Sequence, residues 1–320
     1  MIKIRHMFKD YEFAKIALTH YDHDAEGLDE ALATSRKTSN MYRFFRDREL
    51  CFLRIVPKEE KDFRNLCGEM EFLAYLKDQG YPALEIILTK DNKTILELEG
   101  RYITAFQRVP GIPLYETEMN REIVRKYGEA LGKLHQITRD MPRIIGKWDT
   151  DSVLGYIEKS FRENHAPKTM DNRFISLKKD IAKMEKRPNN YGLIHYDFEL
   201  DNVFYDEKTN QCHVIDFDDS FYFFYHFDVM RALEELDDGE MKKEFLKSYQ
   251  EVRKLTREEE TENEGMEPVL QEFWDLYTYA RLLHALSDQG EDHPDWKENL
   301  VQKCNKKLRM IESKSEKSSL

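Results

Sequence analysis

The chain has 320 residues, and at about 150 residues per domain that length suggests two domains. Hydrophobic residues make up 40% and aromatic residues 12%, enough for a packed core and too much for wholesale disorder. A formal net charge of −12 argues against binding nucleic acid or an anionic membrane by bulk charge. No apolar h-region of about 7–15 residues opens the chain, so no signal peptide is expected. No run approaches the roughly 18 apolar residues of a membrane span. Cys51, Cys67, Cys212 and Cys304 form no CxxC pair, which fits reduced thiols in a cytosol. P-loop, zincin and dinucleotide-binding signatures are absent.

In chain order, residues 1–35 read as helical, with acids at Asp22, Asp24 and Glu26. Two β-rich runs, 41–45 and 50–56, flank a charged hairpin turn. Residues 62–79 carry Phe63, Leu66, Met70, Leu73 and Leu76 at helical spacing, and Gly80 and Pro82 stop the pattern. Strand-like runs follow at 94–98 and 102–106. The segment 109–113, with two prolines and a glycine, marks a boundary between two lobes. Beyond it the spacing predicts helices at 119–138, 150–161, 170–186, 226–236, 239–254, 268–288 and 295–311, with short β segments at 193–194 and 213–215. The charged stretch 257–267 reads as a solvated loop, and the polar tail from Ser313 as frayed. The result is an α+β chain of two unequal lobes: a β-rich part with a helical extension at 1–108, a mainly helical part at 109–312, and a tail at 313–320.

The densest chemistry lies at 193–203 and 214–219. A short strand leads into a loop with His195, Asp197 and Asn202, and a second strand delivers Asp216. Two carboxylates and an amide oxygen converging there suit Mg²⁺, a hard cation that prefers oxygen ligands. If a hydroxyl is to be phosphorylated, one carboxylate must instead accept or orient its proton.

The H-x-D-x-x-x-x-N spacing followed by D-F-x matches the kinase catalytic loop and its metal-binding aspartate. The local wording resembles the aminoglycoside phosphotransferase/choline kinase family, which includes type II homoserine kinases. The resemblance spans about residues 35–285 and implies a bilobal protein-kinase-like fold with ATP and Mg²⁺ as cofactors. It implies Asp197 as catalytic base, His195 as a brace of the loop, and Asn202 and Asp216 as metal ligands. Tyr196 stands where that family usually has glycine, and no A-P-E segment is present.

A kinase-like site also needs a cation near the phosphates and a carboxylate to orient it. Arg54 sits on a strand where the family has Lys or Arg, and its fork suits phosphate. Glu69 falls inside the apolar arc of its helix, where a carboxylate needs a partner, whereas Glu71 falls outside it. The glycine-free stretch with Ser39 and Asn40, near Arg36 and Lys37, is the candidate phosphate loop; a plain basic turn is the alternative. Residues 106–109, with Phe106 and Arg108, resemble the hinge that meets adenine through its backbone. His135 reads as a packing or capping residue.

For the acceptor, Asp218, Asp219 and Asp228 with Glu234 and Glu235 suggest an acidic neighbourhood suited to an amine, or simply surface acids. The aromatic run 221–225 reads as core packing or a cation–π box. Trp274, Tyr277, Arg281 and His284 share one helical stripe that either walls the acceptor site or packs in the core. The expected activity is Mg²⁺- and ATP-dependent phosphotransfer to a hydroxyl of a small, amine-bearing acceptor in the cytoplasm, without nucleic acid or membrane partners. The alternatives are a bacterial Ser/Thr protein kinase on the same fold and a nucleotide-binding module without transfer. No dimer motif stands out.

Overall fold

The computed structural model describes residues 2–7, 10–25, 27–28, 41–291 and 295–317. A 3-10 turn, Ile4–Met7, precedes helix α1 (Tyr11–Leu18), which starts on the Asp10 side chain. Helix therefore occupies only part of the expected 1–35. Asp24, one of the acids that follow, serves a turn instead. Both carboxylate oxygens of Asp24 accept amides, from Asp47 and Arg48 at 2.9 Å each. Those two residues have φ of 54° and 65°, the left-handed pair that a two-residue hairpin turn requires. The turn joins β1 (Met41–Arg46) to β2 (Glu49–Pro57).

Strand β2 pairs in turn with β5 (Arg101–Gln107), which also carries β3 (Ile86–Ile87) and β4 (Leu96–Leu98), all antiparallel. Strand β3 is too short to show periodicity in the sequence. Helix α1 packs Phe13, Ala14, Ala17 and Leu18 against the apolar face of this sheet. Helix α2 (Phe63–Asp78), capped by Asp62, lies against its other side and joins a second core.

The remaining chain is mainly helical: α3 (Arg121–Asp140), α4 (Thr150–Glu163), α5 (Lys168–Lys183), α6 (Tyr225–Glu234), α7 (Gly239–Val252), α8 (Arg257–Leu286) and α9 (Asp295–Lys317). Two small antiparallel sheets are set into it. One pairs β6 (Ile112–Pro113), β8 (Val203–Asp206) and β9 (Gln211–Val214); the other pairs β7 (Tyr191–Ile194) with β10 (Phe221–Phe224). Gly111, at φ +91°, permits the first sheet, because a Cβ there would sit 2.4 Å from the Tyr205 carbonyl oxygen. The aromatic run 221–225 is thus a buried strand and the start of α6, which corrects the cation–π alternative in favour of core packing.

Two helical ends differ from the sequence reading. The charged run 257–267 is the start of α8, not a loop. Thr256 and Glu259 form a reciprocal capping box there, and the first-turn acids Glu258, Glu259 and Glu260 suit a helix N-terminus. Glu259, Glu262 and Glu267 then find Asn189, Arg187 and His226 on other elements. At the other end α9 continues through Ser313 to Lys317, held where the Lys314 ammonium meets both oxygens of buried Asp275 at 2.8 and 2.7 Å.

Candidate active site

Strand β7 ends at Ile194, and the loop after it is hung from one buried carboxylate. Asp228 of α6 accepts the amides of His195 at 2.7 Å and Tyr196 at 2.8 Å. Its Oδ2 also meets His135 Nε2 of α3 at 3.1 Å, and His135 Nδ1 meets the Tyr249 hydroxyl at 3.0 Å. Asp228 is fully buried, so it belongs under the loop and not in an acidic acceptor cleft. His195 Nε2 lies 2.9 Å from the Ile215 carbonyl, which ties the loop to the turn that carries Asp216. Tyr127 donates to the Phe198 carbonyl at 2.7 Å and fixes the far side.

Tyr196 has φ of 77°, the left-handed conformation that glycine takes without strain. Its ring offsets that strain by burial: it stacks on Phe227 at 5.6 Å and 6° and meets the edge of Tyr277 at 5.3 Å. The aromatic stripe of α8 is therefore partly the packing that allows a tyrosine at this position.

Asn202 donates from Nδ2 to the Asp197 carbonyl at 2.9 Å and to its Oδ2 at 3.1 Å. Both contacts use the amide nitrogen, so Oδ1 remains an acceptor. Burial, followed by the charges of Glu199 and Asp219, pushes Asp197 up to about 7 against the pull of Arg281. Asp216 is also left-handed, at φ 65°. Desolvation by the surrounding walls, then Asp218, Asp219 and Asp197, pushes it up to about 7. Asp216 still opens to solvent, so the neighbouring charges are the sturdier cause. Among the described residues, neither Asp197 nor Asp216 forms an ion pair within the protein.

Opposite this loop, Arg54 of β2 and Glu69 of α2 make a bidentate pair, Nη1–Oε1 at 2.9 Å and Nη2–Oε2 at 2.8 Å. Arg54 Nε donates to Thr104 at 3.1 Å, and the guanidinium lies 5.1 Å from the Phe106 ring centre. Glu69 is 2% exposed, as its helical phase implies. Arg54 also reaches Asp218 at 3.4 Å, and Lys61 binds the same carboxylate more closely. Burial alone would raise Asp218, but Lys61 and Arg54 outweigh it and hold the group well below the usual carboxylate range.

Phe106 is interior to the sheet, paired with Phe52 on one side and Ile86 on the other. The amides of Gln107 and Arg108 go to the carbonyls of Glu85 at 2.9 Å and Leu50 at 3.0 Å, so those two donors are not free to meet a base edge. The Arg108 side chain turns back to the Gly111 carbonyl at 3.2 Å. Ser39 and Asn40, with the rest of the candidate phosphate loop, lie outside the described residues.

A cleft of about 680 Å³ opens beside the Arg54–Asp218 network. One wall is aromatic, with Trp148, Tyr156 and Tyr277; the other holds Lys61 and Asn65. Asp219 and Arg281 lie between them, joined at 2.6 Å. Of the five acids grouped in the sequence, Asp218 and Asp219 line this cleft, and both carry cationic partners. Glu234 instead binds Arg231, which also holds Glu199 at 2.6 Å. Lys61, Trp148 and Tyr156 are contributors that the sequence does not reveal. Lys61 sits in a charged run that looks solvated, Tyr156 enters the cleft through the packing of α4 on α8, and Trp148 enters from the turn before α4, against Tyr156.

A small antiparallel sheet with one buried ion-paired helix, a helical part that presents a braced H-x-D-x-x-x-x-N loop, and a cleft between them define the protein-kinase-like fold. Residues 35–261 match the phosphotransferase enzyme family, and the chain belongs to that family. A curated relative, amicoumacin kinase of Bacillus subtilis (strain 168), is 23% identical over 189 residues, which cover 56% of this chain and 55% of that protein. The match thus spans little more than half the length of the curated relative. Among solved structures, an amicoumacin kinase in complex with AMP-PNP and Ca²⁺ superposes with a TM-score of 0.72 at 18% identity, covering 96% of this chain and 94% of that one. A microcompartment-associated aminopropanol kinase gives 0.67 at 21% identity, with coverage of 95% and 97%.

Proposed function

We propose that this protein transfers the γ-phosphate of ATP to a hydroxyl of a small acceptor. The observation that carries the reading is the pairing of Asp197 with Asn202 on a braced loop, next to an Asp216 that forms no ion pair among the described residues. The donor set fits Mg²⁺. Asp216 and the remaining oxygen of Asn202 are hard ligands, and a carboxylate crowded by three others is relieved by a divalent ion. Bound there with the nucleotide, Mg²⁺ supplies charge neutralisation at the phosphates.

Asp197 then orients the acceptor hydroxyl and takes its proton as the oxygen attacks phosphorus and the bond to the ADP leaving oxygen breaks. Arg54, held in place by Glu69, offers its guanidinium toward the phosphates, and Lys61 is a second cation within reach of the same carboxylate, Asp218. Ser39 and Asn40 remain the candidates for covering the phosphates, and Arg108 for flanking the hinge. Asp219, Tyr277 and Arg281 face the acceptor. An amine on that acceptor is supported by the aromatic wall, whose faces suit a cation, and by the aminopropanol kinase neighbour. Asp218 and Asp219 alone give little support, because each already has a cationic partner.

The test is ADP release with Mg²⁺-ATP across homoserine, choline, ethanolamine, 1-aminopropan-2-ol, amino sugars, aminoglycosides and a generic protein substrate. Release with one small acceptor, absent in Asp197→Ala, is the expected result. Phosphate incorporation into the protein substrate alone would favour a protein kinase. Saturable ATP binding without release would point to a binding module.

A further inference from the structure

The mouth of the cleft is built by three pieces of chain that are far apart in sequence and converge on one carboxylate. Glu60 lies in the short turn after β2, on the sheet side; its side chain is 1% exposed. One oxygen meets His6 Nδ1 at 2.8 Å, and the other meets His284 Nε2, near the end of α8, at 2.9 Å. The backbone amide of Lys3 also reaches Glu60, at 3.4 Å, and its ammonium stands 3.9 Å away. The neighbouring residues repeat the tie. Arg5 binds Glu59 at 2.6 Å and Asp288 at 2.9 Å, and its amide donates to the Asp288 carbonyl at 3.2 Å. His6 Nε2 lies 2.9 Å from Glu59.

The partners of Glu60 come from the N-terminal segment (Lys3 and His6) and from α8 (His284), so the network spans the sheet side, the N-terminal segment and the helical side. Burial would raise Glu60, but His284 and His6 outweigh it and hold the group at about 2, ionised at any working pH. His6, Glu59 and Glu60 also bring ligand atoms within 4.8 Å of one another. Lys3 and Arg5 already supply the positive charge those carboxylates face, which makes this a closed ion network and not a metal cradle. Ile2 and Lys3 line the same cleft as Tyr156, Tyr277 and Arg281.

We propose that residues 2–7 form a built-in wall of the acceptor cleft, latched across its mouth by Glu60 through His6 and His284. The segment limits which molecules enter and holds the two sides at a fixed separation. The assignment rests on the kinase reading only for what enters the cleft. The latch itself is independent of it.

The test uses a thiol at the cleft floor in the full chain. Asn65 lines the cleft, and Cys67 is the exposed native cysteine, so an Asn65→Cys/Cys67→Ser background places the reporter. The rate of its modification by fluorescein maleimide is compared with and without Glu60→Ala. A second variant, His6→Ala, covers the case in which Glu60→Ala does not fold, with circular dichroism as the check. The expected result is modification about tenfold faster in both variants, the scale of a lost local closure, with Mg²⁺–AMP-PNP affinity unchanged within about twofold. Equal modification rates in folded variants would overturn the latch. If the unmodified chain does not bind AMP-PNP, the kinase reading fails, and the labelling rates still judge the wall.

Discussion

Two pairs of carboxylates share this site and are treated in opposite ways. Asp218 is met by Lys61 and Arg54, and Asp219 by Arg281, so both are held down as ionised groups. Asp197 and Asp216 have no such partners among the described residues, and both are pushed up to about 7. All four lie in one loop and the turn tied to it by His195. Overall acidity therefore says little about function here. What separates the pairs is which charges the fold has already balanced. The balanced pair positions cations, and the unbalanced pair is where a cation and a proton can still arrive.

The comparison predicts effects of decreasing size. Removing the proposed proton acceptor in Asp197→Ala should cut turnover by about 10³-fold or more, within the range for a positioned acid–base group, while nucleotide binding persists. A collapse of nucleotide affinity measured by calorimetry would place Asp197 on the wrong side of the comparison.

Glu69→Ala leaves the largely buried Arg54 guanidinium with only its longer ion-pair contact, to Asp218 at 3.4 Å. It should lower stability by about 2–3 kcal/mol in urea unfolding, below the roughly 3–5 kcal/mol of a buried charge left wholly unpaired, because Asp218 remains. A change below about 1 kcal/mol would mean that the pair is in effect solvated.

Tyr196→Gly relieves a left-handed residue by about 1–3 kcal/mol but deletes a buried ring worth about 3–5 kcal/mol. The net expectation is destabilisation by about 2 kcal/mol. A more stable variant would show that backbone strain outweighs the aromatic packing.

The gentlest test is pH. A carboxylate raised in the folded state contributes stability at low pH and loses it as pH rises through its folded value. In the ligand-free protein that loss is opposed by His135, His195, His213 and His226, all lowered by burial and so gaining stability over the same interval, and the pair is therefore read through ligand binding and not through melting. Mg²⁺–AMP-PNP affinity should weaken below about pH 7, where protons compete for the same oxygens. An affinity that is flat from pH 6 to 8 would remove the raised pair from metal binding.

Much of this site is legible in the sequence because its parts are local. His195, Asp197, Asn202 and Asp216 fall in one loop–strand–turn unit, and their spacing survives folding unchanged. Glu69 is legible from helical phase alone, since a carboxylate on an apolar arc must find a buried cation. Other parts depend on distant partners and leave no local signal. Asp228 looks like one more acid after Asp216, yet it is the buried anchor of the loop because His135 arrives from α3. Lys61 and Glu60 sit in a charged run whose partners, Asp218 and His284, lie far along the chain. The first part of α8 fails for the same reason, since its acids are matched by Arg187, Asn189 and His226. Phe106 shows how little a resemblance says of packing: it places 106–109 at a hinge through the backbone, and only the sheet reveals that Phe106 pairs with Phe52 and Ile86.

The most direct measurement is calorimetric binding of AMP-PNP with and without Mg²⁺, in the unmodified chain and in Asp216→Ala. The account predicts that Mg²⁺ strengthens binding to the unmodified chain at least tenfold and that Asp216→Ala removes most of that gain, in keeping with loss of a hard-cation ligand. An undiminished Mg²⁺ effect in Asp216→Ala would contradict it, and the unbalanced carboxylates would then not be the metal–nucleotide site.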